Sequence, residues 1–98
     1  MNVQFTARHF KAHDGLKQYA LQQVSTLRKY YDGIVKGDIV LRYERPKDSV
    51  KIAEINLAVH GTKLVAIERS GNFYKSIDNA VEKLERQLLK YKGKKRGL

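Results

Sequence analysis

The chain contains no cysteine, and this one absence removes disulfide frameworks, cysteine nucleophiles and thiolate metal sites together. It is compatible with a reducing compartment, so a cytoplasmic location is expected. No apolar run approaches the roughly 20 residues that span a bilayer, and the stretch from Met1 to Arg8 lacks the continuous apolar core of a signal peptide. Neither secretion nor membrane insertion is expected. Acidic residues are scarce: ten Asp and Glu stand against twenty Lys and Arg, a formal net charge of +10. Such a surface points to a polyanionic partner more than to an acidic small molecule, with nucleic acid first in line.

What is present suffices for one core. Of 98 residues, 42% are hydrophobic and 31% charged, which predicts a globular chain with one two-layer domain and no second core. Residues 2 to 8 alternate, with Val3, Phe5 and Ala7 on one side, as in a half-buried strand. From about 14 to 31 the spacing turns helical, Leu16, Ala20, Val24, Leu27 and Tyr31 forming a stripe, with Asp14 as N-cap and Gly33 as a left-handed stop. Ile39, Leu41 and Tyr43 alternate again, and Arg45-Pro46-Lys47-Asp48-Ser49 reads as a turn. Ala53, Ile55, Leu57 and Val59 predict a third strand, and Gly61-Thr62 turns into a fourth from Lys63 to Arg69. Phe73, Ile77, Ala80, Val81, Leu84, Leu88 and Tyr91 then mark one face of a second helix ending near Tyr91, leaving residues 92–98 as a flexible basic tail.

The order strand, helix, three strands, helix predicts a single α+β domain over residues 1–91. Its four-stranded sheet carries both helices on one face, the first two strands are parallel, and the last three form an antiparallel meander.

The second helix holds the sharpest functional signal. Lys75, Asn79, Lys83, Arg86 and Lys90 gather near the pole opposite Ile77, while Asp78, Glu82 and Glu85 keep to one flank. Lys92, Lys94, Lys95 and Arg96 extend the cations, with no acid after Glu85. Cations about 5 to 6 Å apart suit successive phosphates. The first helix adds Lys17 and Arg28, eleven residues apart and so pointing nearly the same way on a continuous helix, with Lys29 further round. Side by side, the two helices would line one cationic groove. Phe5, Tyr31, Tyr43, Phe73 and Tyr91 fall on core faces, so phosphate and shape recognition is expected rather than a base-stacking platform.

Catalysis finds little support. His9 and His13 straddle a strand-to-helix connection without a third ligand, so no metal site is assigned. No phosphate-binding glycine loop, Ser-His-Asp set or close carboxylate pair can be named, and neither enzyme activity nor a cofactor nor a small-molecule substrate is expected.

Phe73-Tyr74-Lys75-Ser76-Ile77-Asp78, with Lys83-Leu84-Glu85-Arg86-Gln87-Leu88 and Lys90-Tyr91-Lys92, resembles the signature of the bacterial ribosome hibernation-promoting factors, also called protein Y or sigma-54 modulation proteins. Arg8-His9 and the stretch from Leu27 to Asp32 match as well. The resemblance implies the same element order and a protein that binds the small ribosomal subunit in the groove for messenger and transfer RNA, holding ribosomes inactive. By position it implies that Lys83, Arg86, Lys90 and Lys92 contact rRNA, with Arg8 and Lys17 in addition. Gln23 and Thr26 stand where relatives often have lysine, so Arg28 or Lys29 is expected to substitute, and His13 replaces the usual Ser or Thr cap, moving that job to Asp14. Ending at Leu98, the chain looks like a short form, without the further domain through which long members pair ribosomes, and is expected to be monomeric when free. A general RNA-binding or ribosomal protein is the alternative that the basic helices alone would equally support.

Overall fold

The computed structural model describes residues 1–44 and 49–95. Its elements are β1 (Asn2–Ala7), α1 (Asp14–Ser25), a 3-10 turn (Thr26–Lys29), β2 (Lys36–Tyr43), β3 (Lys51–Val59), β4 (Thr62–Ser70) and α2 (Phe73–Lys95). The sheet order is β1-β2-β3-β4. β1 runs parallel to β2, with Phe5 opposite Ile39, and β2-β3-β4 are antiparallel, with Ile39 opposite Ile55 and Ile55 opposite Ala66. The class, element order and pairing are those the periodicity predicts.

Alternation places Ile39, Leu41, Ala53, Ile55, Leu57, Val59 and Ala66 on the face that receives the helices, where they form one core with Leu16, Ala20, Val24 and Leu27 and with Phe73, Ile77, Ala80, Leu84 and Leu88. Burying such side chains, at roughly 1.5–3 kcal/mol each, holds α2 against the sheet along most of its length. Tyr91 fixes the far half of α2: its hydroxyl donates to the His60 carbonyl at 2.6 Å, and its ring meets Tyr31 edge-on at 5.4 Å. Gln87 Nε2 donates to the Val65 carbonyl at 2.9 Å, covering part of the outer edge of β4.

Four local expectations change. His13, not Asp14, caps α1: its backbone is extended and its Nδ1 accepts from the Leu16 N–H at 3.2 Å, while Asp14 becomes the acidic residue of the first turn. The α-helix ends at Ser25 rather than near Tyr31, because Ser25 Oγ and Thr26 Oγ1 donate to the Leu21 and Gln23 carbonyls at 2.8 and 2.6 Å and the chain tightens into the 3-10 turn. Gly33 is not left-handed; among the described residues positive φ occurs at His9 (65°) and Gly61 (84°). At Gly33 a Cβ would come within 2.6 Å of the Tyr31 ring, so packing and not helix termination calls for glycine there. Finally, α2 continues to Lys95, so the first part of the expected tail is helical. Residues 45–48 of the expected turn and 96–98 of the tail lie outside the described residues.

Candidate nucleic-acid interface

The surface begins with α2, whose buried stripe dictates what faces out. Lys75, Lys83, Arg86 and Lys90 are exposed along 16 residues of one rigid helix, with Asn79 half-buried among them. Lys83 leans toward the sheet, where its Nζ lies 3.4 Å from Glu68 Oε2 of β4, and Arg86 Nη1 reaches Glu82 Oε1 at 3.1 Å one turn back. Among the described residues Lys75 and Lys90 make no ion pair. Exposed pairs of this kind are worth about 0–1 kcal/mol each, so a phosphate can replace either carboxylate at small cost. Lys92 is half-buried and, about 60° round the helix from Ile77 at roughly 100° per residue, stands off the outer line.

The acidic flank of α2 is turned toward α1. Tyr19 Oη donates to Asp78 Oδ1 at 2.5 Å, and this bond, with burial and the carboxylate's charge behind it, raises the Tyr19 phenol above its ordinary 10.0. A hydrogen bond to Glu85 does the same for Tyr30. Tyrosine–carboxylate contacts thus lie between the two helices, where the sequence suggested cations from both. Lys17, exposed, lies on the flank of α1 away from Tyr19. Three residues of 3-10 turn, at about 120° each instead of about 100°, add roughly 60° to the helical offset of about 20° and leave Arg28 about 80° out of line with Lys17. Lys29 Nζ sits 5.5 Å over the ring of Tyr30, the tyrosine that bonds to Glu85 of α2. Arg8 is exposed at the end of β1, its N–H bound to the Leu41 carbonyl at 2.9 Å, just before the left-handed turn at His9.

Three contributors escape sequence reasoning. Glu68 neutralises Lys83 from a strand, Tyr19 engages Asp78 from 59 residues away, and buried Ser76 ties the start of α2 to the sheet by donating to the Lys51 carbonyl at 2.7 Å while meeting Ser70 Oγ at 2.6 Å. Only Ser76 leaves a trace in sequence, a polar residue on the apolar stripe. Among the described residues no group of three or more His, Cys, Asp or Glu side chains is placed to hold a metal ion. No described helix is long and apolar enough to cross a membrane.

A small α+β domain that presents one cationic helix face from a sheet has the electrostatic footprint of the nucleic-acid-binding class. Over residues 3–96 the chain matches the family described as sigma 54 modulation protein / S30EA ribosomal protein, and it belongs to that family. It is 30% identical over 94 residues to a ribosome hibernation promoting factor of Azotobacter vinelandii, covering 96% of this chain and 85% of that one. It is 27% identical over 94 residues to the factor of the same name from Escherichia coli K12, covering 96% of each. Among solved structures it superimposes on a ribosomal subunit interface protein from Coxiella burnetii with a TM-score of 0.86 at 26% identity, covering 95% of this chain and 99% of that one. The Thermus thermophilus protein Y N-terminal domain gives 0.81 at 26%, covering 93% and 99%.

Proposed function

We propose that the protein is a non-enzymatic ribosome hibernation factor of the cytoplasm. It lays the outer face of α2 on rRNA phosphates of the small subunit, in the groove where messenger and transfer RNA sit, and so blocks translation. The observation that carries this reading is the exposed line Lys75, Lys83, Arg86 and Lys90, held on a helix whose opposite face is buried from Phe73 to Leu88. Family membership supplies the ribosome as the polyanion. Cations carried on a packed helix need no backbone ordering at the moment of binding, so the cost is that of their own side chains alone. Arg8, Lys17, Arg28 and Lys29 join from the neighbouring elements as peripheral phosphate contacts, and Lys92 serves at the end of the helix.

Co-sedimentation with small subunits tests the site. Vacant subunits should carry the protein down, while subunits preloaded with messenger and initiator transfer RNA should resist it. Equal binding to both would reject the groove. Equal binding to any unrelated RNA added in excess would favour a general RNA-binding protein instead.

A further inference from the structure

At the end of the sheet where both helices begin, the segment after β1, the last residue of β2, the first of β3 and the start of α2 enclose a cavity of about 330 Å³. The function just proposed makes no use of it. Its walls are aromatic: Phe10, Tyr43, Phe73 and Tyr74 all line it. Phe10 and Phe73 are stacked on each other, centroids 5.1 Å apart and 7° from parallel, and Tyr43 stands edge-on to both at 73° and 74°. Tyr74 meets Tyr19 at 66° and His13 at 37°. Parallel stacking is therefore used up between the two phenylalanines, and among the described residues no ring lies flat on Tyr43 or Tyr74. Among the described residues the charged members of the lining are Lys11 and Lys51, the latter with its Nζ 5.5 Å over Tyr43, and none of the described lining residues is a carboxylate.

Planar aromatic walls with two lysines beside them suit a planar group that carries negative charge. The volume lies near the lower end for small-ligand sites, about 300–1,000 Å³, which fits one nucleotide unit and excludes a duplex. Stacking on aromatic side chains is the usual way a protein holds an unpaired base, and lysines serve its phosphate. The cavity lies at the N-terminal end of the helix that carries the cations: Tyr74, in its wall, is next in sequence to Lys75, the first cation of the α2 line.

We infer that this cavity receives one unstacked nucleotide of the RNA that lies along α2. The base rests against Tyr43 and Tyr74, and its phosphate is held by Lys51 and Lys11. This rests on the RNA-binding reading above for the source of the nucleotide, but not for the pocket's chemistry.

Two measurements on the full chain separate these. Aromatic NMR signals are followed during titration with AMP, adenosine, ribose 5-phosphate and inorganic phosphate, and small-subunit affinity is measured in parallel. AMP should shift the signals of Phe10, Tyr43 and Tyr74 saturably, more tightly than adenosine, while the two base-free phosphates leave them in place. Tyr74→Ala should weaken both AMP and subunit binding by about tenfold, the scale of one lost base stack. Lys51→Gln, with its melting temperature checked as for Tyr74→Ala, should erase the advantage of AMP over adenosine. A folded protein that shows no saturable AMP shift, or that responds equally to inorganic phosphate or to N-acetylphenylalanine, overturns the inference. If AMP binds and Tyr74→Ala leaves subunit affinity unchanged, the pocket serves a free nucleotide and its assignment to the RNA falls. If the wild type ignores subunits altogether, the proposed function fails, and the AMP titration still judges the pocket.

Discussion

Lys83 of α2 and Glu68 of β4 face each other at 3.4 Å, so the cationic line carries its own competitor. Arg86 and Glu82 repeat the arrangement at 3.1 Å. Glu68→Gln and Glu82→Gln should each strengthen binding to the small subunit about two- to fivefold, the range expected from releasing a surface ion pair worth up to about 1 kcal/mol. Titrations at one fixed salt concentration check this. Weaker binding by both variants would mean that the carboxylates hold the cations in a productive geometry.

The outer cations should matter for binding and not for folding. Lys83, Arg86 and Lys90 project away from Leu84, which is fully buried. The triple Gln variant keeps good helix formers and should melt like the wild type while losing most of its ribosome affinity. Leu84→Ala should do the reverse, costing roughly 2–5 kcal/mol of stability through a cavity with the charges intact. Unchanged affinity in a folded triple variant would reduce the line to a solvated face.

Salt should dissolve the complex steeply. Four to six neutralised phosphates, at about 0.7 to 0.9 each, give a log-log slope of roughly −3 to −5 for affinity against salt. Glu82→Gln should steepen the slope if Arg86 is thereby freed for a phosphate. A slope near zero would place the affinity in shape or apolar contacts.

The contact between Tyr19 and Asp78 makes an alkaline prediction. The folded phenol is raised above its ordinary 10.0, chiefly by the hydrogen bond it donates to Asp78. A raised folded value means that this contact contributes in full below the ordinary tyrosine value and is lost as pH climbs through the folded one. At neutral pH its strength should not vary. Spectroscopic titration should show Tyr19 and Tyr30 ionising late, and Asp78→Asn should return Tyr19 toward the ordinary range while Tyr30, held by Glu85, stays late. An unaltered titration in Asp78→Asn would remove Asp78 as the cause.

The architecture was legible because one buried face per element imprints its period on the chain. Ile39, Leu41 and Tyr43 could only alternate, and Ile77, Ala80, Leu84 and Leu88 could only wind. The end of α1 was not legible that way, since Leu27 and Tyr31 suit an α-helix or a 3-10 turn equally. The signal lay in Ser25 and Thr26, whose hydroxyls take backbone carbonyls. The cap was missed because a histidine ring nitrogen did the work usually assigned to a small oxygen-bearing side chain. For the interface, spacing on α2 located the cations, but their partners come from packing. Nothing local pairs Lys83 with Glu68 or turns the acidic flank toward Tyr19 and Tyr30, and these contacts come only from packing.

Gln87 has a further consequence through its hydrogen bond to the Val65 carbonyl on the outer edge of β4. An uncovered edge strand presents unpaired backbone groups that invite a second chain to zip onto it. With an amide clamped across one carbonyl of β4, a visiting strand would have to displace Gln87 before it could run in register there. One side chain, turned sideways from the same helix that carries the cations, thus obstructs edge-to-edge pairing at that carbonyl by a means that salt does not screen, as it does charge repulsion.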